Sequence, residues 1–248
     1  MILLFDYDSL IYKSSYRIVS FTELREWLSS GVSREVITEE ILNRSIDRMQ
    51  NMEQRIFEEI ENTGVIIDSV EYYVTHCKNS VRKQICDKYK AKRKRNKWVS
   101  MIRTKILADY SNIFFSDEWE ADDLIADRAK EIGENAIICS LDKDLQQIEG
   151  LHYNYYIDKE TNQPRGLSIT SKFESIYSLY YQLLAGDSTD GIVGVPKIGQ
   201  VKAKRILHGC KTESQLKTKV CREYLRYYKE NAREELTKQY RLLKLGQY

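Results

Sequence analysis

Nine carboxylates in four short clusters constrain this chain more than any other feature. They are Asp6 and Asp8, then Glu120, Asp122 and Asp123, then Asp142 and Asp144, then Asp187 and Asp190. Most stand where an apolar run ends or a helix begins. In a parallel α/β sheet such points gather along one edge, in the crevice outside the carboxyl ends of the strands. That many acids repel one another strongly if all are ionised in one crevice. Two divalent cations remove the repulsion and make the crevice a phosphoryl-transfer site.

The order of segments supports such a sheet. Ile2 to Phe5 reads as a short buried strand ending at Asp6, with Ser9 as a cap for a helix from Leu10. Residues 35 to 62 place Ile37, Ile41, Ile46, Met49, Met52, Ile56 and Ile60 on one stripe, a long amphipathic helix stopped by Gly64. Val70 to Val74, Ile113 to Phe115 and Ala136 to Cys139 read as strands, and Glu120 to Ile132 as a helix ending at Gly133. Leu151 to Ile157 alternates weakly, as an edge strand would. Helices are expected over 170–185, 199–208 and 219–244. Strand–helix alternation through the first 150 residues predicts an α/β fold, a mainly parallel central sheet flanked by helices. Residues 1–185 would form the α/β unit and 186–248 a helical remainder.

The chain has 248 residues, of which 42% are hydrophobic, enough for a sizeable core. No apolar stretch reaches the roughly 18 residues of a membrane span. Met1 to Phe5 is too short for a signal segment. The five cysteines have no paired spacing, which fits a reducing, cytoplasmic setting. Nothing in the composition calls for more than a monomer.

Taken singly, each acidic cluster has an ordinary explanation. Glu120, Asp122 and Asp123 could simply cap a helix, worth about 0.3–1 kcal/mol each. Glu120 and Asp123 share a face, and Asp122 points about 100° away. Asp142 is as good an N-cap as a ligand. Asp190-Gly191 is an ordinary turn pair, and Asp8 could be a turn residue. Together, four clusters at strand–helix junctions match a two-metal hydrolase, with ions about 3.5–4 Å apart. Carboxylates without Cys or His favour Mg²⁺ or Mn²⁺ over zinc.

Two basic features accompany the acids. From Arg82 to Lys105 cations face the lone acid Asp87, with Tyr89 and Trp98 among them. Cations interleaved with aromatics suit a nucleic-acid strand. Gly191 to Ala203, with Gly194, Pro196 and Gly199, reads as a helix–hairpin–helix. Amides at its helix N-terminus can hold a backbone phosphate without reading sequence.

These motifs resemble, in order, those of the 5′ nucleases: flap endonucleases, bacteriophage 5′→3′ exonucleases and the 5′-nuclease domains of bacterial DNA polymerases. Phe5 to Tyr12 resembles the first strand and its Asp. Arg82 to Arg93 resembles the basic arm. Glu120-Ala121-Asp122-Asp123 and Ser140 to Leu145 resemble the central acidic motifs, and Gly186 to Gly199 the last acidic pair with its helix–three-turn–helix. The likeness covers residues 2 to about 208, and the compact size is similar to the phage members. It implies a helical arch over residues 80–106. It implies a first metal site from Asp6, Glu120, Asp122 and Asp123, and a second from Asp142, Asp144, Asp187 and Asp190. Lys90 and Arg93 would meet the scissile phosphate. Val193, Val195 and Ile198 would offer carbonyls to K⁺. Arg82, Tyr89, Lys92, Lys197, Gly199 and Lys202 would contact nucleic acid. One departure stands out: the family's second early Asp is replaced near Thr75 and His76.

The activity so implied is a Mg²⁺-dependent, structure-specific 5′ nuclease. Its partner would be DNA with a 5′ end or flap, or an RNA–DNA hybrid. A PIN-type ribonuclease would need fewer acids and no helix–hairpin–helix. A catalytically weakened relative that binds branched DNA is the non-enzymatic alternative.

Overall fold

The computed structural model describes residues 1–94 and 96–246. Six strands form one sheet: β1 (Ile2–Asp6), β2 (Ser69–Tyr73), β3 (Ile113–Phe114), β4 (Ala136–Cys139), β5 (Gly150–Ile157) and β6 (Pro164–Thr170). Their order is β3-β2-β1-β4-β5-β6. β1 pairs in parallel with β2 on one side and β4 on the other, with Phe5 opposite both Tyr72 and Cys139. The chain therefore leaves β1 in one direction and later returns on its other flank. That reversal opens a crevice at the carboxyl ends of β1 and β4, where open α/β sheets bind their ligands.

The strand sequences explain their places. Leu3, Leu4 and Phe5 are fully buried, as a central parallel strand covered on both faces requires. β5 is not an edge strand as its weak alternation suggested. It carries β6 antiparallel on its outer side. β6 escapes a sequence reading because Pro164, Arg165, Gly166 and Ser168 leave it no apolar alternation, and Pro164 is tolerated at an edge.

The helices are α1 (Tyr7–Ser14), α2 (Phe21–Ser29), α3 (Arg34–Glu61), α4 (Val81–Ile85), α5 (Lys97–Asp109), α6 (Ala121–Ile132), α7 (Lys172–Ala185), α8 (Gln200–Leu207), α9 (Glu213–Tyr228) and α10 (Ala232–Leu243). α1 begins at Tyr7, three residues earlier than Ser9 predicted. Asp6 is the true N-cap and accepts the Ser9 N–H at 3.3 Å. On α3 the buried stripe includes Glu53, which accepts the hydroxyls of Tyr7 at 2.7 Å and Tyr72 at 2.5 Å. Burial raises its carboxyl above the ordinary range, against the pull of those two hydroxyls. The basic segment is two helices, α4 and α5, joined by turns. The helix expected over 219–244 breaks at Lys229–Asn231, where Lys229 takes φ 53°. No Gly or Pro marks that break.

α1, α3 and α5 cover one sheet face with β1 at its centre, and α6 packs on the other through Ile125 and Ala129. α7 to α10 build a separate apolar cluster around Leu183, Leu184, Leu216 and Tyr224. Here the chain crosses itself closely. Gly194, at φ 67°, lies against the end of α7, and a Cβ on it would stand 2.6 Å from the Leu184 carbonyl oxygen. Gly194→Ala is therefore expected to destabilise the fold by about 2 kcal/mol or more, read from urea denaturation at unchanged slope.

Candidate active site

Three short connections and one helix start bring the acids together. Asp6, at the end of β1, accepts the Ser140 hydroxyl at 2.5 Å. Burial, followed by the neighbouring charges of Asp8 and Asp142, pushes its carboxyl up to about 7. Asp142 follows β4, is exposed, and accepts the Asp144 N–H at 2.9 Å, so its capping role is realised. Asp144 accepts the Gln182 side-chain N–H at 2.5 Å. Burial, with Asp142, Asp187 and Asp190 nearby, pushes Asp144 up to about 7 as well. Asp187 accepts the N–H groups of Thr189 at 2.8 Å and Asp190 at 3.3 Å, which bends the segment after α7 so that both acids turn inward.

Asp122, Asp144, Asp187 and Asp190 line one cavity of about 20 Å³, together with Gln182 and Arg82. A single water-sized species fits it. Burial, then Asp123 and Glu120, holds the Asp122 carboxyl well above its usual range. These side chains offer hard oxygen donors whose mutual repulsion a cation would relieve. The donor set therefore fits a divalent cation.

The other half of the cluster meets the protein's own cations. Glu120 accepts Lys90 Nζ at 2.8 Å, the Tyr89 hydroxyl at 2.7 Å and Arg82 at 3.3 Å. Burial alone would raise its carboxyl, but Lys90 and Arg82 outweigh that and hold it low. Asp190 pairs with Arg93 at 2.5 Å and with Lys90 at 3.7 Å. The carboxylate oxygens of Glu120, Asp122 and Asp123 approach within 4.8 Å of one another. Asp123, however, has every acceptor position engaged. It takes both Arg82 guanidinium nitrogens, the Glu120 N–H at 3.2 Å and the Gly246 N–H at 3.1 Å. Asp123 thus ties the basic arm to the start of α6 while its carboxylate stays beside those of Glu120 and Asp122.

Arg82 and Tyr89, expected to contact nucleic acid, are only 4% and 3% exposed. The Arg82 guanidinium is fixed by Asp123, Glu120 and the carbonyls of Leu242 and Lys244. Lys92, Lys197, Gly199 and Lys202 are exposed, as a phosphate-binding surface needs. Lys90 sits at φ 52° and its N–H donates to the Asp190 carbonyl at 2.9 Å, so the arm docks directly on the glycine turn. In that turn Val193 is exposed, Val195 and Ile198 are buried, and the Val195 carbonyl accepts the Ile198 N–H at 3.0 Å. The Thr75 hydroxyl accepts the Ala121 N–H at 3.0 Å, and His76 meets Phe115 edge-on at 5.6 Å.

This fold matches that of solved T5 5′-exonuclease structures. The T5 D15 protein co-crystallized with metal ions superposes with a TM-score of 0.63 over 98% of this chain and 88% of that one, at 14% identity. A T5 5′-exonuclease mutant gives 0.55 over 98% and 86% at 12% identity. The T5 D15 flap endonuclease in a pseudo-enzyme–product complex with DNA and metal ions gives 0.51 over 98% of both chains at 11%. DNA polymerase I of Rhizobium leguminosarum is 26% identical over 171 residues, a match that takes in 63% of this chain and 17% of the polymerase. No protein-family model matches the chain. The resemblance read from the motifs thus extends over the whole fold.

Gln182 and Gln147 were not legible as site residues. Gln147 donates to Gln182 at 2.5 Å, and Gln182 in turn holds Asp144. Their partners lie tens of residues away, and a polar residue within a helix carries no local signal.

The raised carboxyls of Asp6 and Asp144 give a signed pH dependence. Both bind a proton more tightly folded than unfolded. Their contribution to stability is complete near pH 4 and is lost as pH rises to about 7. Glu120, held low, acts in the opposite sense at more acid pH. In EDTA the melting temperature should therefore fall between about pH 4 and 7, and Asp144→Asn should flatten the fall and raise Tm at pH 8.

Proposed function

We propose that the protein is a structure-specific 5′ nuclease that hydrolyses a DNA phosphodiester near a 5′ end or flap. The observation that carries this reading is the meeting of Asp122, Asp144, Asp187 and Asp190 in one cavity, with Asp6 at the end of β1 by the sheet's switch point, beside a basic arm and a helix–hairpin–helix phosphate site. Bound divalent ions, two in number, would supply the charge that activates water and stabilises the leaving oxygen. Asp122, Asp144, Asp187 and Asp190 would hold one, and Asp6 and Asp142 would contribute to the second.

The chain's own groups do the rest. The turn from Gly191 to Gly199 and the first turn of α8 present backbone N–H groups and Lys197 and Lys202 to the duplex backbone. The carbonyls of Val193, Val195 and Ile198 would hold K⁺ there. The Gly194 carbonyl is already taken by Tyr228 at 2.9 Å and Gln239 at 3.1 Å, which fixes the turn's shape. Lys90 and Arg93 stand over Glu120 and Asp190, close enough to pass from carboxylate to phosphate as a strand enters. Burial of Asp6 and Asp144 keeps bulk water from screening these charges. RNA in an RNA–DNA hybrid has the same phosphates and belongs to the same substrate class. The helix–hairpin–helix separates this reading from a PIN-type ribonuclease.

The test uses a 5′-labelled flap duplex with Mg²⁺ or EDTA. Metal-dependent cutting near the junction, abolished in Asp142→Ala/Asp190→Ala, is the expected outcome. Tight flap binding without cutting in Mg²⁺ and Mn²⁺ alike would leave a branched-DNA-binding relative instead. Lys90→Ala should lower the cleavage rate by about 10²-fold with little change in duplex affinity. Lys197→Ala should weaken binding to every duplex sequence alike and reduce the salt slope by about one.

A further inference from the structure

Among the nine acids, Asp8 is used neither by the proposed metal sites nor by the cations of residues 82–93, yet it faces the same crevice edge. It lies on the first turn of α1, two residues beyond Asp6, and both its oxygens are engaged. Oδ2 accepts the Thr75 N–H at 2.8 Å, just past the end of β2. Oδ1 accepts Arg103 Nε at 3.1 Å and Nη2 at 2.7 Å, from the middle of α5. Two donors of one guanidinium on one oxygen fix its orientation more tightly than a lysine could.

The contact extends one step further. The Thr75 side chain accepts the N–H of Ala121, the first residue of α6. One chain of hydrogen bonds thus runs from the second leg of the arm, through Asp8 and Thr75, to the helix that opens with Asp122 and Asp123. α5 needs no such tie merely to stay folded. Ile102 and Ile106 are 0% and 2% exposed and anchor it in the core. What the apolar contacts do not fix is the height and rotation of α5 relative to the carboxylates, because dispersion contacts are not directional.

Accepting the nuclease reading above, we infer that Asp8 and Arg103 are a pair of positioning residues that set the arm's second leg in register with the carboxylate edge. The first leg has its own tie, Arg82 to Asp123. Each leg is therefore fastened by an arginine to an acid of the crevice, and Lys90 and Arg93 hang between the two fastenings.

Asp8→Asn, Arg103→Ala, Arg103→Lys and the Asp8→Asn/Arg103→Ala double variant test the pair, in single-turnover flap cleavage with Mg²⁺ and in backbone hydrogen exchange without metal. Each single variant should cut about tenfold more slowly, with flap affinity and Tm nearly unchanged. The double variant should be no slower than the worse single one, and Arg103→Lys should recover only part of the rate. Exchange should quicken over 97–105 and 75–76. Additive losses, full rescue by lysine, or a rate loss matched by a fall in Tm would overturn the inference. If the wild-type chain does not cut at all, the nuclease reading falls, and exchange alone decides the tie: unchanged exchange in the variants would then sink it.

Discussion

The buried ion pair between Arg82 and Asp123 is the contact on which the rest of the site depends. It joins three parts of the chain that are far apart in sequence: the first leg of the basic arm, the start of α6 and the segment after α10. Arg82 also donates to the carbonyls of Leu242 and Lys244, and Asp123 also accepts from Gly246. Every polar group of the pair is satisfied. A buried pair so built contributes little net stability against an apolar replacement, but losing one partner alone typically costs about 3–5 kcal/mol. Its value here is geometric. It brings Leu242, Leu243 and Leu245 to the wall of the cavity that holds Asp122, Asp144, Asp187 and Asp190.

The crevice solves one electrostatic problem in two ways. Glu120, Asp123 and Asp190 are matched by Arg82, Lys90 and Arg93 from the arm. Asp6, Asp122 and Asp144 are answered by raised affinity for protons. Asp6 and Asp144 stand away from the arm's cations, whereas for Asp122 and Asp123 burial outweighs the nearby Arg82. Burial of Asp6, Asp122 and Asp144 is costly unless something positive arrives.

The acidic clusters were legible because their chemistry is local: each follows a strand or opens a helix, and strands and helices announce themselves by period. Ala136–Cys139 and the stop at Gly133 could be read to the residue for that reason. The pairing of Asp123 could not be read, since nothing in Glu-Ala-Asp-Asp says which acid Arg82 will claim from some forty residues away. Arg82 and Tyr89 looked like surface residues within a basic run. Their burial depends on α10 and on the turn at Asp190, which tertiary packing alone supplies. Asp8 illustrates the same limit, because its partners Thr75 and Arg103 come from two other elements. β6 was missed because Pro164 and Gly166 erase its alternation, and the break at Lys229 because no Gly or Pro marks it.

The docking of Lys90 on the glycine turn gives the molecule a mechanical linkage. The Lys90 N–H is bonded to the Asp190 carbonyl, and a Cβ on Gly191 would stand 2.8 Å from the Lys88 carbonyl oxygen. Arm and turn thus touch backbone to backbone, with no side chain between them to absorb a displacement. A duplex gripped at the turn and a strand threaded past the arm would load the same few peptide units. Grip and threading are then a single movement, and residue 191 can carry no side chain without prising the two apart.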